Sequence, residues 1–530
     1  MYEYAALVLL TLLKPSSTQT TTNPQEATTS AVVYGYPLLS WQQLAGNLTT
    51  FFGANTFLHA REFATPENRT VVKPNVDTLY SSLVYDLSST DLIIDLPEVF
   101  DEGFKLMSLY DPYGFNWANV GTGGFDWEGG RFLLRSDAVE GEVGLQGTDG
   151  GEFVAELIAP SPFGTILIRW GVDDEIDEEA VHQYQDATSI EEVLRSVESD
   201  SAEGVAPTLE SLLALYDSTA SPAENVLVLL AGYEENSTGL TDLLQPAGIS
   251  NGQYTPQPSV DLTLANNAAL LQALSAGTSD ENQVILNNGW SVLSPALIGV
   301  WGTDYALRTA IAISGYLALR NPFAVYPTGS NSSGLASANG GLELGADEAI
   351  IFTFSGRPPV QSAGFWSLTL YGSDNFLIPN PIDTYALGDR SGLTYPDGEL
   401  VYGDGGVGGE EEAPFEILVQ PADIVPPANW TNNWLPAPSG GGAVVAQLRL
   451  FAAFEEAING VYEYPSLRRV AAIRGAGGNG TVGGGNGTVG SPATPAVQVQ
   501  IESDGVRAAG VCSLWAVGAL LIGAAAVLAP

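Results

Sequence analysis

The sequence predicts a mainly β fold with helical insertions, in the α+β class. Short segments that alternate between apolar and polar residues, or are apolar throughout, recur between Gly, Pro and Asp residues in both halves of the chain. Such frequent short strands favour a sandwich or barrel over a parallel sheet. Between them lies a stretch with helical spacing of apolar residues. The length of 530 residues exceeds what one core usually supports, so more than one domain is expected.

The first elements after the N-terminal leader are predicted to be helical. Asn23 and Pro24 form a capping sequence for a helix that continues to Tyr36, and Pro37 should bend or end it. A second helical pattern covers residues 41–52. The strand-rich part follows, with predicted strands at 79–87, 92–96, 104–110, 131–135, 153–158 and 165–170.

Helical patterns dominate residues 173–327. Apolar residues recur at three and four positions, or Ala is abundant, over 177–185, 189–197, 208–216, 223–233, 264–276 and 304–320. Strands return over 350–371 and continue to residue 450. From residue 475 onward Gly, Asn and Thr dominate, which is typical of a flexible linker.

Both ends of the chain carry patterns of an exported protein. Residues 1–20 contain a short apolar run followed by Ser and Thr, and they resemble a secretory signal peptide. Residues 504–530 end in an apolar segment, which together with small residues near Ser503 predicts a glycosylphosphatidylinositol (GPI) attachment signal. A plain C-terminal transmembrane anchor is the alternative. Seven Asn-x-Ser/Thr sequons agree with export: Asn47, Asn68, Asn236, Asn331, Asn429, Asn479 and Asn486.

Charge and composition limit the partners. A formal net charge of −43 would repel nucleic acid and anionic membrane surfaces. A neutral partner such as an extracellular glycan stays open, and the outer membrane leaflet would be reached through the lipid anchor alone. With two histidines and no His-Glu-x-x-His spacing, we expect no metal site and no cofactor.

The polar residues of the first strand form the main candidate site. Pro74 should hold Lys73 in an extended conformation and delay the strand until just after it. The alternation of the strand then turns Asn75 and Asp77 inward. A carboxylate in that position needs hydrogen bonds or a cation. Two interpretations are open, a satisfied polar cluster that fixes the strand start or a perturbed carboxylate in a cleft.

A second carboxylate extends the catalytic hypothesis. Alternation from Lys105 to Asp111 puts these two residues on one face. They could converge with Lys73 and Asp77, which would bring two lysines and two aspartates together. Paired carboxylates that differ in pKa would fit glycoside cleavage, with Asp77 or Asp111 as acid or base and Lys73 and Asn75 orienting. Ordinary ion pairs at strand ends are the alternative.

Ligand contacts are predicted for five further residues. His59 follows an apolar Phe-Leu pair and is also typical of a core histidine. Trp434 precedes Leu-Pro in a predicted loop, where its indole could stack on a sugar ring. The other three lie in the first module: Tyr80, Asn116 and Arg169. Arg449 is expected to be a buried ion-pair partner.

Several motifs resemble a known family. The block from Lys73 to Ser81, Lys-Pro-Asn-Val-Asp-Thr-Leu-Tyr-Ser, resembles the signature of the domain of unknown function 1254 (DUF1254). Segments at 288–290 and 305–310 resemble that family's helical connector. Segments at 365–371, 433–437 and 448–450 resemble the companion DUF1214 module. Lys73 departs from the pattern, since Arg is common there.

The resemblance implies two antiparallel β-sandwich or jelly-roll-like modules joined by a helical connector, here in a secreted, GPI-anchored eukaryotic member. The expected organisation is a signal peptide (1–20), an N-terminal module (23–175), a helical connector (176–327), a C-terminal module (328–474), a glycosylated linker (475–503) and the GPI signal (504–530).

The sequence supports two functional hypotheses. One is a cell-surface protein that binds or acts on extracellular carbohydrate, and if catalytic it would be a metal-independent hydrolase or lyase. The other is a non-catalytic structural or ligand-binding protein of the cell surface or wall. The resemblance does not choose between them, because the family is named for its lack of an established reaction.

Overall fold

We describe the protein from a computed structural model. It describes residues 23–475 except 68, 70–72, 100–102, 128, 137–141, 149, 173–174, 196–206, 235–239, 330–340 and 403–412. The predicted signal peptide and GPI signal, and the linker after residue 475, lie outside the described residues. Strands and helices together confirm the mainly β, α+β class. No helix within the described ranges is long and apolar enough to cross a membrane.

The N-module contains two sheets. Its strands are β1 (Leu58–His59), β2 (Thr78–Asp86), β3 (Thr90–Leu96), β4 (Lys105–Tyr110), β5 (Asn116–Gly121), β6 (Gly130–Ser136), β7 (Gly144–Gly147), β8 (Ala155–Ala159), β9 (Phe163–Gly171) and β10 (Ser189–Leu194). Sheet I has the order β1-β2-β9-β4-β5, and sheet II has the order β10-β3-β6-β8-β7. Their facing apolar side chains form one buried core, as in a sandwich.

The predicted strands of the N-module match the observed ones within a few residues. The predicted helix at 189–197 is wrong, because Ser189–Leu194 is β10 and pairs antiparallel with β3. A free edge of a sheet offers a row of backbone hydrogen bonds, and these outweigh the weak helical pattern of this segment. Most strand pairs of the N-module are antiparallel as expected, and β6 and β8 run parallel.

Helices and short strands connect the two modules. The helices are α1 (Pro24–Phe52), α2 (Glu175–Ala187), α3 (Leu209–Leu213), α4 (Pro222–Tyr233), α5 (Thr241–Leu244), α6 (Leu262–Thr278) and α7 (Tyr305–Gly315). The short strands are β11 (Ile249–Ser250), β12 (Gln253–Tyr254), β13 (Gln283–Ile285) and β14 (Trp290–Leu293). α1 packs against α4, α6 and α7.

Two helix predictions are corrected by this packing. α1 is continuous through Pro37, which is buried. Burial of apolar surface against three helices offsets the hydrogen bond that the proline removes. α7 begins after its predicted cap, where the Asp304 side chain accepts a hydrogen bond from the Leu307 N–H, but it ends at Gly315 rather than at residue 320.

The C-module repeats the two-sheet arrangement. Its strands are β15 (Ala324–Val325), β16 (Thr328–Gly329), β17 (Leu342–Leu344), β18 (Glu348–Phe354), β19 (Val360–Gly372), β20 (Ala386–Gly388), β21 (Phe415–Pro421), β22 (Trp434–Ala437), β23 (Gly442–Ala453) and β24 (Ser466–Ala471). Sheet III has the order β15-β23-β19-β20, with β17 also on β23, and sheet IV has the order β22-β21-β18-β24. A second core lies between them.

A third core joins the modules. Aromatic side chains from the outer faces of sheets I and III meet, with the Phe104 ring 5.1 Å from the Phe365 ring and 5.4 Å from the Phe451 ring. Apolar side chains of α1 and α7 complete this core. The outer faces of sheets I and III therefore meet at the junction of the modules, where Arg169 and Arg449 are removed from water.

Candidate functional site

Arg169 lies on the outer face of sheet I and is fully buried. One terminal nitrogen lies 3.1 Å from the Ser108 Oγ and the other 3.4 Å from the Tyr110 hydroxyl oxygen. The buried Nε–H has no hydrogen-bond partner among the described residues. Tyr80 stands opposite Arg169 on the neighbouring strand. We call this set the N cluster: Tyr80, Ser108, Tyr110 and Arg169.

Arg449 lies on the outer face of sheet III and is 1% exposed. It donates to the Thr369 hydroxyl at 2.9 Å, to the Tyr371 hydroxyl at 2.8 Å and to the Lys73 carbonyl at 3.1 Å. Tyr326 follows β15, whose Val325 pairs with Leu450. We call this set the C cluster: Tyr326, Thr369, Tyr371 and Arg449.

Neither arginine has a carboxylate within ion-pair distance among the described residues. Arg449 is buried as expected, but the expected ion pair is not formed at contact distance. Hydroxyl and carbonyl oxygens accept its hydrogen bonds, and the Asp77 carboxylate acts on its charge from a longer range. Two cations are thus buried at the junction of the modules with neutral hydrogen-bond partners.

Tyr326 connects the two clusters electrostatically. Burial raises the pKa of Tyr326, and both Arg169 and Arg449 oppose that rise. Its phenol is therefore close enough to interact electrostatically with both guanidinium groups. The pKa of Tyr110 and that of Tyr371 are also raised by burial, so these hydroxyls stay protonated.

The segment that precedes β2 closes one side of the C cluster. Lys73 has a φ of +50°, so the predicted extended conformation is wrong. Its N–H donates to the Asn375 carbonyl at 2.6 Å, and the Pro74 carbonyl accepts from the Tyr371 hydroxyl at 2.7 Å. These tertiary hydrogen bonds offset the cost of the left-handed conformation. Burial, and then Arg449, lowers the pKa of Lys73 to about 8.

Asn75 links this segment to the N cluster. Its side-chain amide donates to the Tyr80 hydroxyl at 3.1 Å and to the Thr78 hydroxyl at 3.2 Å. Its carbonyl oxygen accepts from the Asp77 N–H at 2.7 Å. The regular strand begins at Thr78, just after Pro74 as predicted. Asn75 is thus buried and held on both sides.

Asp77 contacts the C-module. It is half-buried, and its carboxylate accepts a hydrogen bond from the Ser367 hydroxyl at 2.6 Å. Arg390 donates to the Asp77 carbonyl oxygen at 3.3 Å. Burial raises the pKa of Asp389 to about 7, and the Asp77 charge also contributes to that rise. Asp77 therefore has an acidic neighbour, but that neighbour is Asp389 and not Asp111.

Asp111 lies at the opposite end of sheet I. Thr78 pairs with Gly171, whereas Tyr110 pairs with Thr165 on the same strand. Six residues of a strand span about 20 Å, so Asp77 and Asp111 do not converge. The Asp111 carboxylate accepts from the N–H groups of two residues in the turn after β4, and burial raises its pKa to about 6.

Three other predicted ligand residues lie outside the two clusters. Asn116 is buried and bonded to Asn119. The His59 Nδ1 is 2.7 Å from the Ser81 Oγ, and burial lowers its pKa to about 4. Trp434 is the first residue of β22 and is 4% exposed, so its predicted loop position is wrong. Parallel pairing with β21 buries the indole and leaves its face unavailable for stacking on a sugar.

The titration of Asp389 is open to direct measurement. Its pKa rises from 3.8 to about 7 on folding, so its contribution to stability is complete below about pH 4 and is lost as the pH rises through 7. Asparagine has nearly the same shape but does not titrate. The stability of the wild type relative to Asp389→Asn, measured by chemical denaturation, should fall from pH 4 to pH 7 and stay constant above pH 8. A constant difference over pH 4–8 would contradict this pKa.

Sequence reasoning missed Ser108, Tyr110, Tyr326, Tyr371 and Asp389. A usable signal was present, because Arg169 and Arg449 each interrupt an otherwise apolar strand, Ile166-Leu-Ile-Arg-Trp170 and Leu448-Arg-Leu-Phe451. An arginine in such a strand must be buried with partners. The partners could not be identified from sequence, since they lie on other strands.

The structure also locates part of the predicted surface chemistry. The sequons Asn47 and Asn429 are exposed, while the other five and Ser503 lie outside the described residues. In the part of the chain that the structure describes, no group of three or more His, Cys, Asp or Glu side chains is arranged to hold a metal ion.

Comparison with known proteins gives the following similarities. Residues 54–192 match the family model described as "Protein of unknown function (DUF1254)", and residues 334–455 match "Protein of unknown function (DUF1214)". The fold is similar to the crystal structure of the VPA0106 protein from Vibrio parahaemolyticus, with a TM-score of 0.55, 17% identity and coverage of 84% of this chain and 100% of that chain.

An uncharacterized protein from Burkholderia cenocepacia is also similar, with a TM-score of 0.38, 11% identity and coverage of 85% and 95% of the two chains. No curated protein matches this chain. At these identities the structural likenesses concern the fold alone.

Proposed function

Because this chain has the two-module architecture of the DUF1254 and DUF1214 family, we propose that it binds a small acidic molecule between its two modules. Arg169 and Arg449 hold the acidic groups, and the hydroxyls of the N and C clusters orient them. The observation that carries the proposal is the burial of both guanidinium groups with only neutral hydrogen-bond partners among the described residues.

Charge neutralisation supports an anionic ligand. A buried cation without an anion is unfavourable, and removing its counter-charge usually costs several kcal/mol. A carboxylate can accept two parallel hydrogen bonds from one guanidinium. The unpartnered Nε–H of Arg169 is one donor that such a carboxylate would satisfy.

The negative net charge of the protein favours a small ligand with few charges. A molecule with a formal charge of −43 repels a polyanion at long range, but physiological salt screens this field beyond about 8 Å. A small anion between the modules interacts mainly with the two arginines. We therefore propose a ligand with few charges rather than an acidic polymer.

An acidic sugar of the cell exterior is the ligand class that we propose. The sequence patterns of export and tethering support a position at the outer cell surface, where carbohydrates are abundant. Tyrosines of the two clusters offer ring faces and hydroxyls together, which suits a polyhydroxylated ligand. Catalysis by Asp77 stays a prediction, with Asp389 rather than Asp111 as its carboxyl neighbour.

Isothermal titration calorimetry with the full chain in 0.15 M salt tests the proposal. Galacturonate and galactonate carry one carboxylate, and galactose and galactitol are their neutral counterparts. A hydrogen-bonded charge contributes about 1.5–3 kcal/mol, so the acids should bind about 10- to 100-fold more tightly than the neutral compounds. Equal binding of acids and neutral compounds, or binding of neither, would overturn the proposal.

A further inference from the structure

The two modules contain a repeated strand pair. In sheet I the order is β2-β9-β4-β5, and in sheet III it is β15-β23-β19-β20. β9 and β23 are the central strands, and each carries the buried arginine of its module. β4 and β19 are their antiparallel neighbours. The strands that hold the N cluster and the C cluster therefore have the same order.

The register of the two strand pairs is also the same. Ser108 and Tyr110 pair with the residues two and four positions before Arg169: Leu167 and Thr165. Thr369 and Tyr371 pair with the residues two and four positions before Arg449: Gln447 and Val445. Each arginine thus meets a Ser or Thr and a Tyr at equivalent places.

The hydrogen bonds within the clusters follow this register. Each arginine bonds the hydroxyl group of a Ser or Thr and that of a Tyr two residues later: Ser108 and Tyr110 in one module, Thr369 and Tyr371 in the other. In both modules the hydroxyl of the Ser or Thr also lowers the pKa of the Tyr, against the larger effect of burial. The chemistry at the two places is therefore equivalent.

The third strand of each sheet extends the correspondence. Tyr80 pairs with Arg169. Val325 pairs with Leu450, and continuing this antiparallel register by one residue places Tyr326 opposite Arg449. The N and C clusters thus contain the same four kinds of residue in the same sheet positions. Both lie on sheet faces that meet at the junction of the modules, where Tyr326 interacts with both arginines.

From this repeat we infer that the ligand carries two acidic groups, one held by the N cluster and one by the C cluster. The inference rests on the proposed function, because it assigns a second anionic group to the same site. The two arginines occupy equivalent sheet positions, and each guanidinium matches one carboxylate. A dicarboxylate such as an aldaric acid fills both sets, whereas a monocarboxylate fills only one.

A matched series of open-chain six-carbon polyols tests the inference by calorimetry. Galactitol, galactonate and galactarate carry no, one and two carboxylates. Galactarate should bind about 10- to 100-fold more tightly than galactonate, because it gains a second set of charged hydrogen bonds. In Arg169→Met, and equally in Arg449→Met, galactarate should bind no more tightly than galactonate binds to the wild type.

The outcomes separate the inference from the proposed function. If galactonate binds more tightly than galactitol but galactarate gains nothing further, the inference fails and the proposed function stands. The inference also fails if only one of the two arginine variants affects galactarate binding. If neither acid binds more tightly than galactitol, both fail. Arg195→Met is the matched control, since Arg195 is paired with Asp91 in the N-module, and it should leave all three affinities unchanged.

Discussion

Replacing Phe451 with alanine should lower the free energy of unfolding by about 3–5 kcal/mol, the usual cost of removing a buried aromatic ring. Phe451 is fully buried. Its ring is stacked on that of Phe365 at 4.5 Å and meets Phe104 at 5.4 Å and Tyr326 at 6.2 Å. The side chain therefore contacts both modules, and its loss should weaken their association. Denaturation in urea, followed by tryptophan fluorescence, measures the change.

This substitution should also weaken the binding of acidic ligands. Tyr326 packs on the Phe451 ring, and Phe451 lies two residues after Arg449 on β23. Phe132→Ala is the matched control. Phe132 is fully buried in the core between sheets I and II, so its loss should cost a similar free energy without affecting the junction of the modules. A loss below about 1 kcal/mol for Phe451→Ala would show that this aromatic core does not hold the modules together.

Replacing Arg169 with methionine should leave the free energy of unfolding unchanged or raise it by about 1–2 kcal/mol. Replacing a buried charge by an apolar side chain of similar volume is often neutral or stabilising. The remaining hydroxyls of Ser108 and Tyr110 can still bond each other. The same substitution should weaken the binding of an acidic sugar by about 30-fold or more, since the loss of one partner of a buried charge pair costs about 2–5 kcal/mol.

The two measurements together distinguish a binding residue from a structural one. A binding residue lowers the stability of the fold, whereas a structural contact increases it. Arg195→Met gives the contrast. Arg195 lies 2.8 Å from the Asp91 carboxylate, so its loss should cost about 1–2 kcal/mol of stability and leave ligand binding unchanged. If Arg169→Met instead lost several kcal/mol and kept its affinity, the N cluster would be structural.

Local patterns in the sequence identified a large part of the fold. Alternation of apolar residues located β2, β4 and β9 within one or two residues, and Pro74 fixed where β2 begins. These features depend on neighbours in sequence, such as a fixed proline φ and side chains that alternate across a strand. The motif at 73–81 also pointed to the two-module family, which the family models confirm.

Features that depend on distant residues were not accessible in this way. The segment at 189–197 carries a helical pattern, but β3 offers it a free edge and makes it a strand. Trp434 was expected in a loop, and pairing with β21 buries it. The same pattern of residues can fit more than one structure, and long-range hydrogen bonds and burial decide between them.

The sequence by itself determined the class of the fold, the positions of most strands and the presence of an arginine in each of two apolar strands. Only the tertiary structure decided which groups those arginines meet. Sheet order and register bring β4 to β9 and β19 to β23, and the packing of sheet I against sheet III then brings the two clusters together. Asp111 is separated from Asp77 for the same reason, because the direction of β4 carries it to the other end of sheet I.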